Sequence, residues 1–565
     1  MMKRLADKKK RILAWGLLAV ALLVNLLYWG SRKEGYYCDE LYSYHFVCQV
    51  DYPSINGGRE GQPWLNAWHT PEFFMDYFTI TPEEAFDLAG TSECIRLDVH
   101  PPIYYLLLEM VCSAAAFVLP GVFSKWFGIF LNLGFFVLTI GALYALGKRM
   151  LGSEKWAMAS CALYGFSVGA VSTVVFIRMY MIFTFTCVLF SYWNVLLWEK
   201  LWKGERRGIW RIYAALAATT VLGILNHYYF FLYAFFTCAA LWGCALLQKN
   251  FRFALEYALV MAGGILGSYL LWPEMLRDIL TDYRGVEAFD NLRESQNFAV
   301  ALQEYTDIIA SGLFGGRIGM GVLTLLLALL LLARVLFAYW DVRQVRTQEG
   351  IQYLAERKAE QKRMEVWVDI KDLFWVQLVA AAVCYVLLVV KIAPYRIDRY
   401  VFNVYPALAL ALVYVGKKLS FGLRGRKTAV TAMAGAMGFL ILAGYWSPGV
   451  NYLYKGTEEK LQTVENHSHL PAFYVTDANS RYRVCGDSFF LSKAQHIYPV
   501  KEEGIRGLSE ALEELGVSGA TQFLVYIDQN FMDEGSILNA VKEELGVEGE
   551  RRLFRTQYST VYVVE

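Results

Sequence analysis

The sequence predicts an α-helical polytopic membrane protein with about eleven transmembrane helices and a small extracytoplasmic α/β domain at its C-terminal end. Three observations carry this expectation. Of the 565 residues, 56% are hydrophobic and 16% aromatic, more than a soluble core uses. The apolar runs are about 17 to 25 residues long, enough to cross a bilayer. Beyond about residue 456 the composition turns charged, and the strand-like runs "FYVTD", "FLVYID" and "STVYVV" alternate with the helical "GLSEALEELG" and "SILNAVKEELG".

The first apolar helix, Leu13 to Trp29, follows the basic segment "KRLADKKKR" and no small-residue cleavage site comes after it, so it reads as a retained anchor. Spans are expected at 12–30, 123–147, 156–175, 180–198, 211–227, 229–247, 254–272, 319–340, 373–391, 400–416 and 428–446. The N-terminus and the connections "GKRMLGSEKW", "WEKLWKGERRGIWR", "QKNFR", 341–371 and "GKKLSFGLRGRK" are basic, which places them in the cytoplasm by the positive-inside rule. The apolar run Ile103 to Leu119 is left out of the count, because including it would move the later basic segments to the wrong face; it reads as an interfacial helix with Tyr104 and Tyr105 at headgroup level. The rival reading takes it as a span.

The expected organisation is a membrane domain over 1–455, with external loops at 31–122 and 273–318 and a cytoplasmic loop at 341–371, then the external α/β domain over 456–565. That domain has no Gly-rich phosphate loop, which favours a lid, docking or stabilising role. A net charge of +1 gives no reason to expect nucleic acid as a partner. The ten cysteines show no zinc-type spacing; Cys38, Cys48, Cys94 and Cys485 fall outside and could pair in an oxidising compartment.

This topology gathers the unusual chemistry on one face. Asp39 and Glu40 follow the first helix, and Asp98 and His100 return to the same surface before Pro101 and Pro102, which fix the backbone there. Carboxylates partly desolvated at a membrane edge suit general-base work. Asp39, His100 and His227 could also hold a divalent cation, together with His45, although their spacing matches no compact metal motif. Arg178, Arg396 and Arg399, placed at external helix ends against the positive-inside bias, ask for an anion, and with Tyr180 and Tyr400 they form a cradle suited to phosphate. Snorkelling to the headgroups is the plainer use of such arginines. A base above a phosphate suggests transfer of a group from a lipid-linked phosphate donor.

With these residues in place, the chain resembles the GT-C glycosyltransferases of the protein O-mannosyltransferase and lipid A aminoarabinose-transferase type. The likeness rests on "DE" (Asp39, Glu40), "DVHPPIYYLLL" (Asp98 to Leu108), "RMY" (Arg178 to Tyr180), "NHYYFFLY" (Asn226 to Tyr233), "YRGVEA" (Tyr283 to Ala288) and "RIDRYVFNVYPAL" (Arg396 to Leu408), in order over about residues 1–450. It implies a polyprenyl-phosphate-linked sugar donor, inversion at the anomeric carbon, Asp39 as base, and a site shaped by Glu40, Asp98 and His100. It also implies donor contacts from Arg178, Tyr180, His227, Tyr228, Arg284, Arg396, Arg399 and Tyr400. The acceptor, whether protein, lipid or wall polymer, does not transfer, because the first loop carries an insertion; its Trp64, Trp68, Phe73, Phe74 and Tyr77 could line an acceptor groove or cap the membrane edge. Two other classes compete. A transporter or flippase of a lipid-linked or polar substrate predicts mid-span charges, internal repeats and broken helices. An assembly protein or receptor leaves the external cluster of acids, His and Arg without a use.

Overall fold

The computed structural model describes residues 2–48, 64–294, 297–344, 375, 377–420, 426–447, 449–477 and 481–565. Most of the expected loop 341–371 and the front of the first-loop insertion, 49–63, lie outside them. The chain folds as a helical body with a small five-stranded sheet at its C-terminal end. Among the described residues six helices are long and apolar enough to cross a membrane: Lys9–Ser31, Lys125–Leu151, Tyr180–Lys203, Phe230–Leu247, Phe251–Leu271 and Asp398–Leu419. Two bent pairs raise the number to as many as eight, and the expected spans at 211–227, 373–391 and 428–446 correspond to the shorter apolar helices Ile209–Ile224, Gln377–Ile392 and Val430–Trp446.

Local chemistry sets the helix ends. Lys125–Leu151 starts at Ser124, whose side chain accepts from the Trp126 amide, and stops at Gly152 in the left-handed region. Tyr180–Lys203 stops the same way at Gly204. Each carries two basic residues in its last turn, Lys148 and Arg149 or Lys200 and Lys203, where cations favour the helix dipole.

Glu154–Gly165 and Val168–Val175 meet at 59°, and Phe298–Phe314 meets Gly316–Leu326 at 75°. The first break lies at Ser167, whose hydroxyl caps the Ala170 amide. Beyond the second half-helix the chain makes a buried turn at 176–179. Its backbone groups are paired from elsewhere: Asn132 Nδ2 donates to the carbonyls of Val174 (3.1 Å) and Phe176 (2.8 Å), and the Ile177 amide donates to Glu40 (2.7 Å). An irregular turn inside an apolar body persists only with such partners.

The Ile103–Ala116 helix has 14 residues, about 21 Å of length, short of the roughly 30 Å hydrocarbon core. Its tyrosines correct the expectation of a headgroup-facing aromatic side: Tyr104 and Tyr105 are fully buried. Tyr105 accepts from Arg178 and packs edge-on against Phe46, so the site, and not the interface, holds it.

The sheet has strands β1 (Ala472–Thr476), β2 (Ile497–Lys501), β3 (Phe523–Asp528), β4 (Glu550–Arg555) and β5 (Ser559–Val564), in the order β2-β1-β3-β5-β4. β1 pairs parallel with β2 and β3, while β3–β5 and β4–β5 are antiparallel. Alternation along the strands splits the core. Phe473, Val475, Phe523 and Val525 pack under Leu508, Leu512, Leu538 and Val541. Ala472, Tyr474, Leu524 and Tyr526 instead join the core that continues into the helical body. The first loop is tied to the sheet edge, where His69 and Ile497 exchange backbone hydrogen bonds of 2.8 and 2.9 Å and Trp68 Nε1 donates to Ala511. Trp64, Phe74 and Tyr77 are buried in this seam, which makes the described part of the insertion a packed cap. All ten cysteines are free thiols.

Candidate active site

Four segments far apart in sequence meet at the Cys38–Cys48 helix. Asp39 lies in its first turn, half-buried, with 28% of its side chain exposed. Arg399, from the short 3-10 helix Asp398–Val404, forms an ion pair with Asp39 Oδ2. Arg178, from the buried turn, donates to the Asp39 carbonyl (3.1 Å), to Ser43 Oγ (3.1 Å) and to Tyr105 Oη (2.9 Å), and its other terminal nitrogen lies 3.1 Å from His100 Nε2. His100 Nδ1 is in turn 2.5 Å from Asp98 Oδ2. A guanidinium has only donors, so Nε2 accepts and Nδ1 carries the proton toward Asp98. Asp98 and His100 therefore form a chain that orients Arg178.

Both arginines are almost fully buried, yet the Nε atoms of Arg178 and Arg399 have no hydrogen-bond partner among the described residues. A buried unpaired N–H on a charged group is costly. Burial pushes the Asp39 carboxyl up, but the charges of Arg399 and Arg178 and the hydrogen bond from Arg399 outweigh it and hold the group below the usual carboxylate range. Asp98 is also held low: burial pushes it up, and the hydrogen bond from His100, that from the Val99 amide and the Arg178 charge outweigh it. His227 sits at the turn before Phe230–Leu247, stacked on Phe183; burial first, then the charges of Arg178 and Arg399, drive it down to about 3, so it is neutral. Its Nδ1 accepts from the Tyr229 amide.

Glu40 belongs to a different environment from its neighbour. It is wholly buried, paired with Lys33 at 2.9 Å, and accepts from the amides of Tyr37 and Ile177, each at 2.7 Å. Burial works against both charges, raising the Glu40 carboxyl and lowering the Lys33 ammonium. It clamps the helix start to the turn that bears Arg178. Tyr180 and Tyr400 line the arginine side, with Tyr400 and Tyr37 both 5.5 Å from the Arg399 guanidinium.

The remaining expected residues stand outside this knot. Arg284 pairs with Glu287 and lies over Tyr283 and Tyr395. Arg396 pairs with Glu304, both part-exposed. Tyr228 donates to Asp278 at 2.7 Å. Among the described residues no three His, Cys, Asp or Glu side chains are grouped to hold a metal ion, and Asp39, His100 and His227 form no such set. Lys33, Tyr37, Ser43 and Tyr105 are site residues that the sequence reading missed. Ser43 alone left a signal, lying four residues after Asp39 and so on its helix face.

No family model matches the chain, and no curated protein matches it. Among solved structures, it is similar to the crystal structure of ArnT from Cupriavidus metallidurans in the apo state, with a TM-score of 0.48 and 9% identity over 98% of both chains. It is also similar to that of ArnT from Cupriavidus metallidurans bound to undecaprenyl phosphate, with a TM-score of 0.47 and 10% identity over 97% of this chain and 98% of the other.

Proposed function

We propose that the protein is a GT-C type inverting glycosyltransferase that moves a sugar from a polyprenyl-phosphate donor to an acceptor hydroxyl or amine at the outer face of a membrane. The observation that carries this reading is the pair of buried guanidiniums, Arg178 and Arg399, which converge on Asp39 with an unpaired Nε donor each. Such donors suit the oxygens of a phosphate ester. In the reaction, the acceptor oxygen or nitrogen attacks the anomeric carbon as the bond from that carbon to the phosphate oxygen breaks. The electron pair leaves with the polyprenyl phosphate, and the acceptor's proton passes to the Asp39 carboxylate. Arg399 and Arg178 stabilise the departing charge; Asp98 and His100 position Arg178, and Glu40 positions the helix rather than the proton. Arg284 and Arg396 stand at the rim, where they serve donor entry.

The experiment is turnover of a panel of radiolabelled polyprenyl-phosphate sugars by protein in nanodiscs, scored as release of free polyprenyl phosphate, with Asp39→Asn alongside. Release that Asp39→Asn abolishes supports the reading, and release indifferent to it moves the base elsewhere. The two bent helix pairs favour a second reading, a transporter of a lipid-linked substrate, since broken helices build carrier sites. Binding of polyprenyl phosphate without turnover of any donor, together with its movement between leaflets, would establish that reading.

A further inference from the structure

Beside the Asp39 helix lies a cavity of about 320 Å³ that the proposed chemistry leaves unused. Ligand sites begin at roughly 300 Å³. Its walls come from three places: Tyr36 and Tyr37 just before the helix, Tyr454 and Lys460 from the segment entering the C-terminal domain, and Phe489 and Gln557 from that domain. We propose that this cleft is the acceptor site and that the acceptor is an anionic glycan. The inference rests on the transferase reading above and names the other substrate of that reaction.

Four aromatic rings, those of Tyr36, Tyr37, Tyr454 and Phe489, reach the cleft from half-buried positions. Flat apolar faces with polar edges suit pyranose rings, whose C–H faces are apolar and whose rims carry hydroxyls. The rings are fixed. Tyr36 packs edge-on against Phe489 at 5.2 Å, and Lys33, buried beneath, lies 5.2 Å from the Tyr454 ring and 5.6 Å from the Tyr36 ring. Polar groups converge at the mouth, where Gln557 is exposed and Lys460 has no carboxylate partner among the described residues. A cation in an aromatic cleft without its own counter-ion selects an anionic group on the ligand.

The cleft adjoins the segment that carries the base. Tyr37, two residues before Asp39, turns one side to the cleft and packs on the Arg399 guanidinium. Tyr558 Oη donates to the Cys38 thiol at 2.7 Å, and Gly486 packs so closely on the Tyr558 ring that a side chain there would collide with it. The C-terminal domain is thus fixed to the residue preceding Asp39. Here the domain is the far wall of the acceptor site, more than the lid or docking module its sequence suggested.

The test is binding of two probes, fluorescently labelled trigalacturonate and maltotriose, to the full-length protein in nanodiscs, with polyprenyl phosphate binding measured separately. The wild type should bind trigalacturonate the more tightly; Lys460→Gln should remove that preference, about tenfold, and Phe489→Ala should weaken both sugars about fivefold or more. Polyprenyl phosphate binding should be unchanged in both variants, which also shows that they are folded. Polyprenyl phosphate bound with neither sugar bound, or sugar binding indifferent to Lys460 and Phe489, overturns the cleft assignment and leaves the transferase reading standing. Binding of a Ser/Thr-rich peptide that depends on both residues replaces the glycan with a protein acceptor. Loss of polyprenyl phosphate binding in the wild type sinks the underlying reading instead.

Discussion

Arg399 and Arg396 are three residues apart, and the fold sends them to opposite environments. Arg399 is 6% exposed, paired with Asp39 and surrounded by the rings of Tyr37, Phe176 and Tyr400. Arg396 is part-exposed and faces Glu304. The same division separates buried Arg178 from rim Arg284, and Asp39 from Glu40. The comparison teaches that membership of a motif says which residues arrive at the site, while burial and partners decide which of them face the chemistry.

The largest break in this contrast is Asp39→Asn. It keeps the shape of the side chain and removes the proposed proton acceptor, so turnover should fall by about 10²–10⁴ with donor affinity retained, measured as polyprenyl phosphate release beside polyprenyl phosphate binding. Next comes Arg399→Gln, which on the proposed mechanism removes a preorganised charge from the leaving phosphate and should cost about 10²–10³ in kcat. The same variant carries a pH signature. Because Arg399 helps hold Asp39 below the usual carboxylate range, activity of the wild type should stay level as pH falls to that range, and the acid limb of the profile should move up in Arg399→Gln. The sign for stability is the same: a depressed carboxyl contributes above its unfolded value and loses that contribution as pH falls through the folded one. An acid limb that does not move would break the link between the two residues.

Glu40→Gln should act on folding before it acts on chemistry. It leaves Lys33 wholly buried without a counter-charge, worth about 3–5 kcal/mol of stability, seen as a lower melting temperature in detergent. Lys33→Met in the same chain should recover part of the loss, since the buried cation is gone and the Gln carbonyl still accepts from one of the two amides that the Glu40 oxygens serve, Tyr37 or Ile177. A double variant no more stable than Glu40→Gln alone would mean that the amide contacts, and not the ion pair, hold the helix start.

Much of this division was out of reach of the sequence. Most expected spans lie on apolar helices, with 156–175 on a pair bent by 59°, because hydrophobic length is a local property, and Asp39, His100, Arg178 and Arg399 could be named because they sit at the ends of such helices. Their mutual geometry could not, since Asp39 and Arg399 are 360 residues apart. Glu40 parts from Asp39 for a simple reason: adjacent helix residues point about 100° apart, so one acid faces Arg399 and the next faces Lys33. Tyr104 and Tyr105 read as interfacial because aromatic side chains serve belts and cores alike, and only the Arg178 contact separates the two.

The smallest effect is expected at Arg396, and it is the sharpest test of the contrast. An exposed ion pair is worth about 0–1 kcal/mol, so Arg396→Gln should leave the melting temperature and kcat close to wild type. If Arg396 guides the anionic donor toward the buried pair, its loss should appear as a modest rise in the donor's KM that shrinks with added salt, because an exposed charge acts through a screened field. Arg399→Gln should instead lower kcat at every ionic strength, because its guanidinium is shielded from the salt. A fall in kcat in Arg396→Gln as deep as that in Arg399→Gln would place both arginines on the leaving phosphate and remove the distinction between rim and core on which the assignment of roles depends.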